Sequence, residues 1–126
     1  MKNKQGSATL ITLLVFMIIA LSISATSVAI LISNSQSGSM IEQGTNAYSA
    51  AESGVENAII QLLRNRSYIG ETLTVGNETA EVIVSGAGPY TIISLGKSGA
   101  YSRTIQVILN DTSGVLTISS WKEIYP

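Results

Sequence analysis

The chain contains no cysteine and no histidine. Disulfides, thiol nucleophiles, imidazole bases and His/Cys metal sites are therefore excluded. With no disulfide pattern, cysteine usage leaves the redox compartment unread. Charge is scarce too: charged residues make up 12% of the chain, where a soluble domain carries about a quarter. The formal net charge is −1 and no basic run exists. Phosphate-driven nucleic-acid binding is thereby excluded as the main activity, and no nucleic-acid partner is expected. The composition argues against an enzyme, and neither catalytic residues, a metal nor a cofactor is expected. A site built from Asp or Glu alone stays open.

What is present is apolar. Such residues form 45% of the 126, enough for one small domain and one appendage. A chain this apolar and this poor in charge is either partly embedded or part of an assembly. The distribution of charge is the sharper signal. Lys2 and Lys4 come first, and the next charged residue is Glu42. Between them runs ATLITLLVFMIIALSISATSVAILI, residues 8–32. As a helix these residues reach about 37 Å, against a bilayer core of about 30 Å. Their Ser and Thr hydroxyls can bond back to helix carbonyls. Lysines before the span and none close behind it predict a cytoplasmic N-terminus and a translocated C-terminal part. Ser22-Ile23-Ser24 is a weak signal-cleavage pattern, but the apolar run continues to Ile32, too far for a secretory signal.

One long helix is expected from about Ser7 to Arg66, and residues 33–39, SNSQSGS, read as a soft stretch in it, a kink or a break. A helical period then resumes. Met40, Ala47, Tyr48, Ala51, Val55, Ala58, Ile59, Leu62 and Leu63 recur at intervals of three and four. Glu42, Glu52, Glu56 and Gln61 fall off that stripe. Residues 33–66 are thus expected as an amphipathic helix, with Tyr48, Ala51, Val55, Ile59 and Leu62 meeting a partner surface. Gly38, Gly44 and Gly54 each weaken a helix by about 1 kcal/mol relative to Ala, while small residues also permit close approach. Glu52 and Glu56, one turn apart, read as a solvated face.

After Arg66 the helical period disappears. Strands are predicted at 72–75, 80–85, 90–95, 103–109 and 115–121, separated by turn signals at 76–77, 86–89, 96–99 and 110–114. Connections this short forbid parallel crossovers, so the sheet should be antiparallel. Ile105, Val107 and Leu109 alternate with polar residues, as do Leu116 and Ile118, giving one apolar face. Trp121 is expected to pack on the sheet. The predicted fold class is α+β: a long N-terminal helix, apolar in its first half and amphipathic in its second, on a small antiparallel sheet at 67–126.

The start KNKQG-SATLITLLVFMIIALS resembles the leader and N-terminal helix of type IV pilin-like proteins. AYSAAESGVENAI, residues 47–59, is similar to the segment after the membrane helix in minor pilins of the PilX type and related pseudopilins. SLGKSGAYSRTIQVIL, residues 94–109, looks like their strands. The resemblance implies a leader at 1–6, cut by a prepilin peptidase after Gly6, with Ser7 as the first mature residue. It implies a span at 7–32 that serves first as membrane anchor and then as filament core. Ile11, Leu14, Phe16 and Ile18 would there pack against other pilin or pseudopilin subunits. The implied localisation is the cytoplasmic membrane, single-pass, and then a cell-surface or periplasmic filament. Two residues depart from the family pattern. Ser7 stands where pilins usually have Phe, which leaves methylation open. Ile11 stands where major pilins have Glu, which implies a minor subunit at or near the filament tip. Two alternatives from other classes are an anchored extracytoplasmic binding domain without filament assembly and a membrane-bound enzyme using Glu or Asp.

Overall fold

In the computed structural model of the protein, residues 2–125 are described, residues 2 and 3 by their backbone alone. Met1 of the expected leader and Pro126 of the expected sheet segment lie outside the described residues. One helix, α1 (Lys2–Arg64), precedes five strands: β1 (Gly70–Val75), β2 (Glu78–Ser85), β3 (Tyr90–Ser98), β4 (Tyr101–Thr112) and β5 (Val115–Ile124). The strands form one antiparallel meander in the order β1-β2-β3-β4-β5. The later part of α1 packs on that sheet, so the fold is α+β. The chain divides into two compact units, Met1–Ser39 and Met40–Pro126.

The first unit holds the apolar part of α1, a helix long and apolar enough to cross a membrane. Many of its hydroxyls bond back to the helix itself. Thr9, Thr12, Ser22, Ser24, Thr26 and Ser27 each donate a hydroxyl hydrogen bond to the carbonyl four residues back, at 2.8–3.0 Å. Residues 33–39 are helical throughout, so the helix is not broken there. No proline interrupts them, and Ser37 donates to the Ser33 carbonyl at 3.1 Å instead of competing for the backbone. The helix also begins earlier than expected, at Lys2, so the leader residues described are helical.

In the second unit, residues 40–64 of α1 lie across the middle strands. Ala47, Ala50, Ala51, Gly54, Val55, Ala58 and Leu62 are buried. Tyr48 and Ile59 are half-buried at the edge of the core. Met40 and Leu63, expected on the stripe, are 53% and 59% exposed. The contact face is narrower than the stripe because small residues let the helix settle deeply between the strands. A Cβ at Gly54 would lie 2.9 Å from Val82 Cγ2 and would collide with Ser94 Oγ. A Cβ at Gly96 would lie 2.6 Å from the Ala51 nitrogen and would land on the Ala47 carbonyl oxygen. Gly54 is therefore a contact, where its helix propensity alone reads as a weakness. Gly96, expected in a turn, sits inside β3 because only a residue without Cβ fits beneath α1.

Strand boundaries are wider than predicted, and the turns correspondingly tighter. Ser113 and Gly114, with φ of 55° and 84°, close the β4–β5 hairpin by themselves. β5 carries an irregularity opposite Ile108/Leu109, where Ser119 is the extra residue and its hydroxyl donates to the Ile108 carbonyl at 3.1 Å. The bulge shifts the alternation, so Trp121 lies opposite Val107 and Ile118 opposite Leu109. α1 ends at Arg64, two residues before the expected Arg66. Asn65 Oδ1 accepts from the Ser67 amide at 2.9 Å, a local turn that competes with the helix. Arg66 then ties the helix end to the β4–β5 hairpin, donating to the Leu62 carbonyl at 2.6 Å and the Gly114 carbonyl at 2.9 Å.

Two predictions follow from this packing, both read by thermal or urea unfolding of a soluble fragment covering residues 33–126. Gly54→Val should cost about 1–3 kcal/mol or more through overpacking. Gly44→Ala should be tolerated, because its Cβ would meet only Arg103 Nη1, at 3.8 Å. Leu62→Ala, at a fully buried position, should cost about 2–5 kcal/mol. Glu56→Ala, on the exposed face, should stay within about 0.5 kcal/mol.

Candidate functional site

Two places carry the residues of interest. The first is the start of α1. Gly6 is helical and exposed, and a Cβ there would meet nothing within 4 Å. Packing thus gives no reason for glycine at this position, although it lowers helix stability by about 1 kcal/mol. Ser7 follows in the same exposed turn. Ile11, Leu14, Phe16 and Ile18 are 62%, 59%, 73% and 56% exposed. Ile11, Leu14 and Ile18, at steps of three and four, share one side of the helix, while Phe16 points to another. No single partner helix could cover all four. Of the two lysines expected to set orientation, Lys4 is exposed, and the side chain of Lys2 lies outside the described residues.

The second place is a cluster where α1, β4 and β5 meet. Arg103 lies opposite Gly96 on the helix side of the sheet. Its guanidinium sits 5.4 Å from the centroid of the Tyr48 ring. It also forms a two-point ion pair with Glu123, Nη2 donating to Oε2 at 2.8 Å and Nε to Oε1. The Tyr125 hydroxyl donates to the same carboxylate at 3.2 Å. These bonds hold Glu123 below the usual carboxylate pKa, with the Arg103 hydrogen bond as the largest cause. Glu123 raises the Arg103 pKa in turn. Such a carboxylate stays ionised and engaged, which suits a lock and not a proton shuttle. Residue spacing alone did not single out this cluster. Its signal was the alternation Tyr101, Arg103 and Trp121, Glu123, Tyr125, which places polar and aromatic residues on the same face as Ile105 and Val107.

A smaller network joins α1 to β1. Asn57 Nδ2 and the Tyr68 hydroxyl both donate to Glu71 Oε1, each at 2.9 Å. Burial, and then the Glu71 carboxylate, push the Tyr68 hydroxyl up to about 12. Ser94 Oγ, at the helix–sheet contact, is buried and has no hydrogen-bond partner among the described residues. Glu56 is exposed and Glu52 half-buried on α1. Among the described residues, no three acidic side chains gather where they could hold a metal ion.

The Arg103–Glu123 lock predicts a pH dependence. A carboxylate with a lowered folded-state pKa stabilises the fold above its unfolded value, about 4.3. That contribution is lost as pH falls through the folded value. Glu123→Gln should therefore flatten the acid side of the melting-temperature profile measured from neutral pH downwards. An unchanged acid limb in the variant would refute the linkage.

No family model matches the chain, and no curated protein or solved structure matches it.

Proposed function

We propose that the chain is a minor structural subunit of a type IV pilus-like or type II secretion-like filament. The observation that carries this reading is the apolar part of α1. Its large side chains from Leu10 to Ile32 are 49–73% exposed and occupy every side of the helix. A helix apolar all round needs an apolar medium all round. A bilayer supplies one, and a bundle of like helices supplies another. Each hydroxyl in this stretch that bonds its own helix is ready for either medium.

In this reading the chain is first a single-pass protein of the cytoplasmic membrane. Lys2 and Lys4 stay inside and the sheet lies outside. A prepilin peptidase cuts after Gly6, which fits a glycine that packing does not require. The helix then leaves the bilayer for a filament core shared with other subunits. Ile11 sets the place in that filament. In the family this chain resembles, a glutamate there meets the N-terminal amine of the subunit ahead. A carboxylate in an apolar core is costly unless paired. A subunit with nothing ahead of it has no such amine to meet, so an apolar Ile11 suits a place at or near the tip. The reading assigns no catalysis and no cofactor to the chain.

Mass spectrometry of the membrane form should find a chain beginning at Ser7. An intact N-terminus would instead favour an anchored binding domain outside any filament. Immunogold labelling of sheared filaments should mark ends, and Ile11→Glu should move label into the shaft. Dense shaft labelling of the unaltered chain would refute the tip position.

A further inference from the structure

A meander of five strands in chain order leaves two of them with one side unpaired, β1 and β5. The two edges differ. β1 has six residues, and its large apolar side chains, Leu73 and Val75, are half-buried. β5 has ten residues, and Val115, Ile118 and Trp121 are 64%, 51% and 37% exposed. A long apolar edge is a template for one more strand. Register fixes what this edge offers. Ser113 and Gly114 form a two-residue turn with positive φ at both positions, so Thr112 and Val115 close the hairpin as a hydrogen-bonded pair. Alternate residues of β5 therefore turn their backbone groups away from β4. The extra residue at Ser119 shifts that alternation by one. Leu116, Ile118, Trp121 and Glu123 thus present N–H and C=O at the open edge. Ile118, Trp121 and Glu123 lie opposite the buried Leu109, Val107 and Ile105, and Leu116 packs against the core, so all four side chains are on the helix side of the sheet.

This edge is its own complement. Two antiparallel copies of β5, related by a two-fold axis between Ser119 and Ser120, put Leu116 opposite Glu123 and Ile118 opposite Trp121, each twice. Every pair then faces the helix side in both copies. A regular strand could not pair with itself in that register, because an odd offset sets opposite faces together. The bulge supplies the residue that corrects the phase. Bulges usually turn an edge away from pairing. This one falls on the axis and leaves a regular half-strand on either side. The pairs carry about eight backbone hydrogen bonds, against roughly ten in a typical interface. No like charges meet, since Lys122 lies opposite Thr117 on the other face. We propose that β5 is a docking edge for a second copy of this chain, joining the two sheets into one continuous sheet by an isologous contact. The inference uses the second unit alone and is independent of both the filament and the membrane.

The chain has no cysteine, so introduced cysteines report contacts cleanly. Thr117 and Lys122 are both exposed. In this register Thr117 of one copy faces Lys122 of the other with about 4.5 Å between Cα atoms, within reach of a disulfide. Two Thr117 residues lie at least about 16 Å apart, as do two Lys122 residues. Full-length Thr117→Cys and Lys122→Cys chains, dilute in detergent micelles and mildly oxidised, should therefore cross-link as a mixture. Each alone should cross-link slower by about tenfold or more. Adding Ile118→Asp to both chains breaks two Ile118–Trp121 contacts per dimer and should remove most of the cross-link. Ile118 is half-exposed, so the variant should keep its far-ultraviolet circular dichroism spectrum, and Trp121→Ser should act alike. Cross-linking that is equal in single and mixed chains, or that ignores both variants, arises from contacts elsewhere and overturns the proposal. Thr72→Cys, exposed on β1, tests the other edge. If it cross-links faster to Lys122→Cys than Thr117→Cys does, the contact is head-to-tail and the two-fold seam is overturned. No cross-link in any mixture leaves β5 to a strand of another protein and overturns the second copy.

Discussion

The second unit depends on how closely α1 approaches the sheet. Ala47, Ala51 and Gly54 face Ala80, Ser94 and Gly96 across a contact with no room for one further carbon. Close approach brings larger residues on either side into register: Val55, Ala58 and Leu62 meet Val82, Ile92, Ile105 and Val107. A sheet segment of about 60 residues without a disulfide would bury little by itself. The helix supplies the missing half of its core. The buried Ser94 hydroxyl shows what that proximity costs, since a polar atom without a partner is unfavourable by about 1–3 kcal/mol.

The edges of the contact are secured by polar links instead of apolar mass. Arg66 joins the helix end to the β4–β5 hairpin, while Asn57 and Tyr68 meet Glu71 on the first strand. At the opposite end Arg103 lies between the Tyr48 ring and the Glu123 carboxylate. These are the places where the narrow helix no longer covers the sheet. Each link crosses between elements distant in sequence, and each uses a side chain long enough to bridge the gap.

One helix thus serves two environments. The described side chains of its first part are exposed, and Thr9, Thr12, Ser22, Ser24, Thr26 and Ser27 bond their own helix, which suits an apolar surrounding. Its second part is specified residue by residue for one sheet. A continuous helix through residues 33–39 joins the two, and no interrupting structure is needed there. The proposed function rests on the exposed apolar first part of that helix.

Periodicity and punctuation were legible in the residues themselves. The uncharged run to Ile32, the stripe through Ala51, Val55 and Leu62, the five strands and their antiparallel order all follow from side-chain spacing and short connections. So does the α+β class. The core positions at the edge of the stripe were not legible, because an apolar stripe gives the direction of contact and not its width. Tyr48 and Ile59 are only half covered, and Met40 and Leu63 are largely exposed, since small residues narrowed the contact. Gly54 and Gly96 have opposite meanings in isolation and in the fold: locally they weaken a helix and suggest a turn, and together they let two elements touch. The Arg103, Glu123 and Tyr125 cluster required the β4–β5 register, which a one-residue bulge at Ser119 sets. Local sequence determined which elements form, because propensity and alternation act over a few residues. Tertiary structure alone decided which side chains meet, because that depends on the closeness of approach and on register between distant segments.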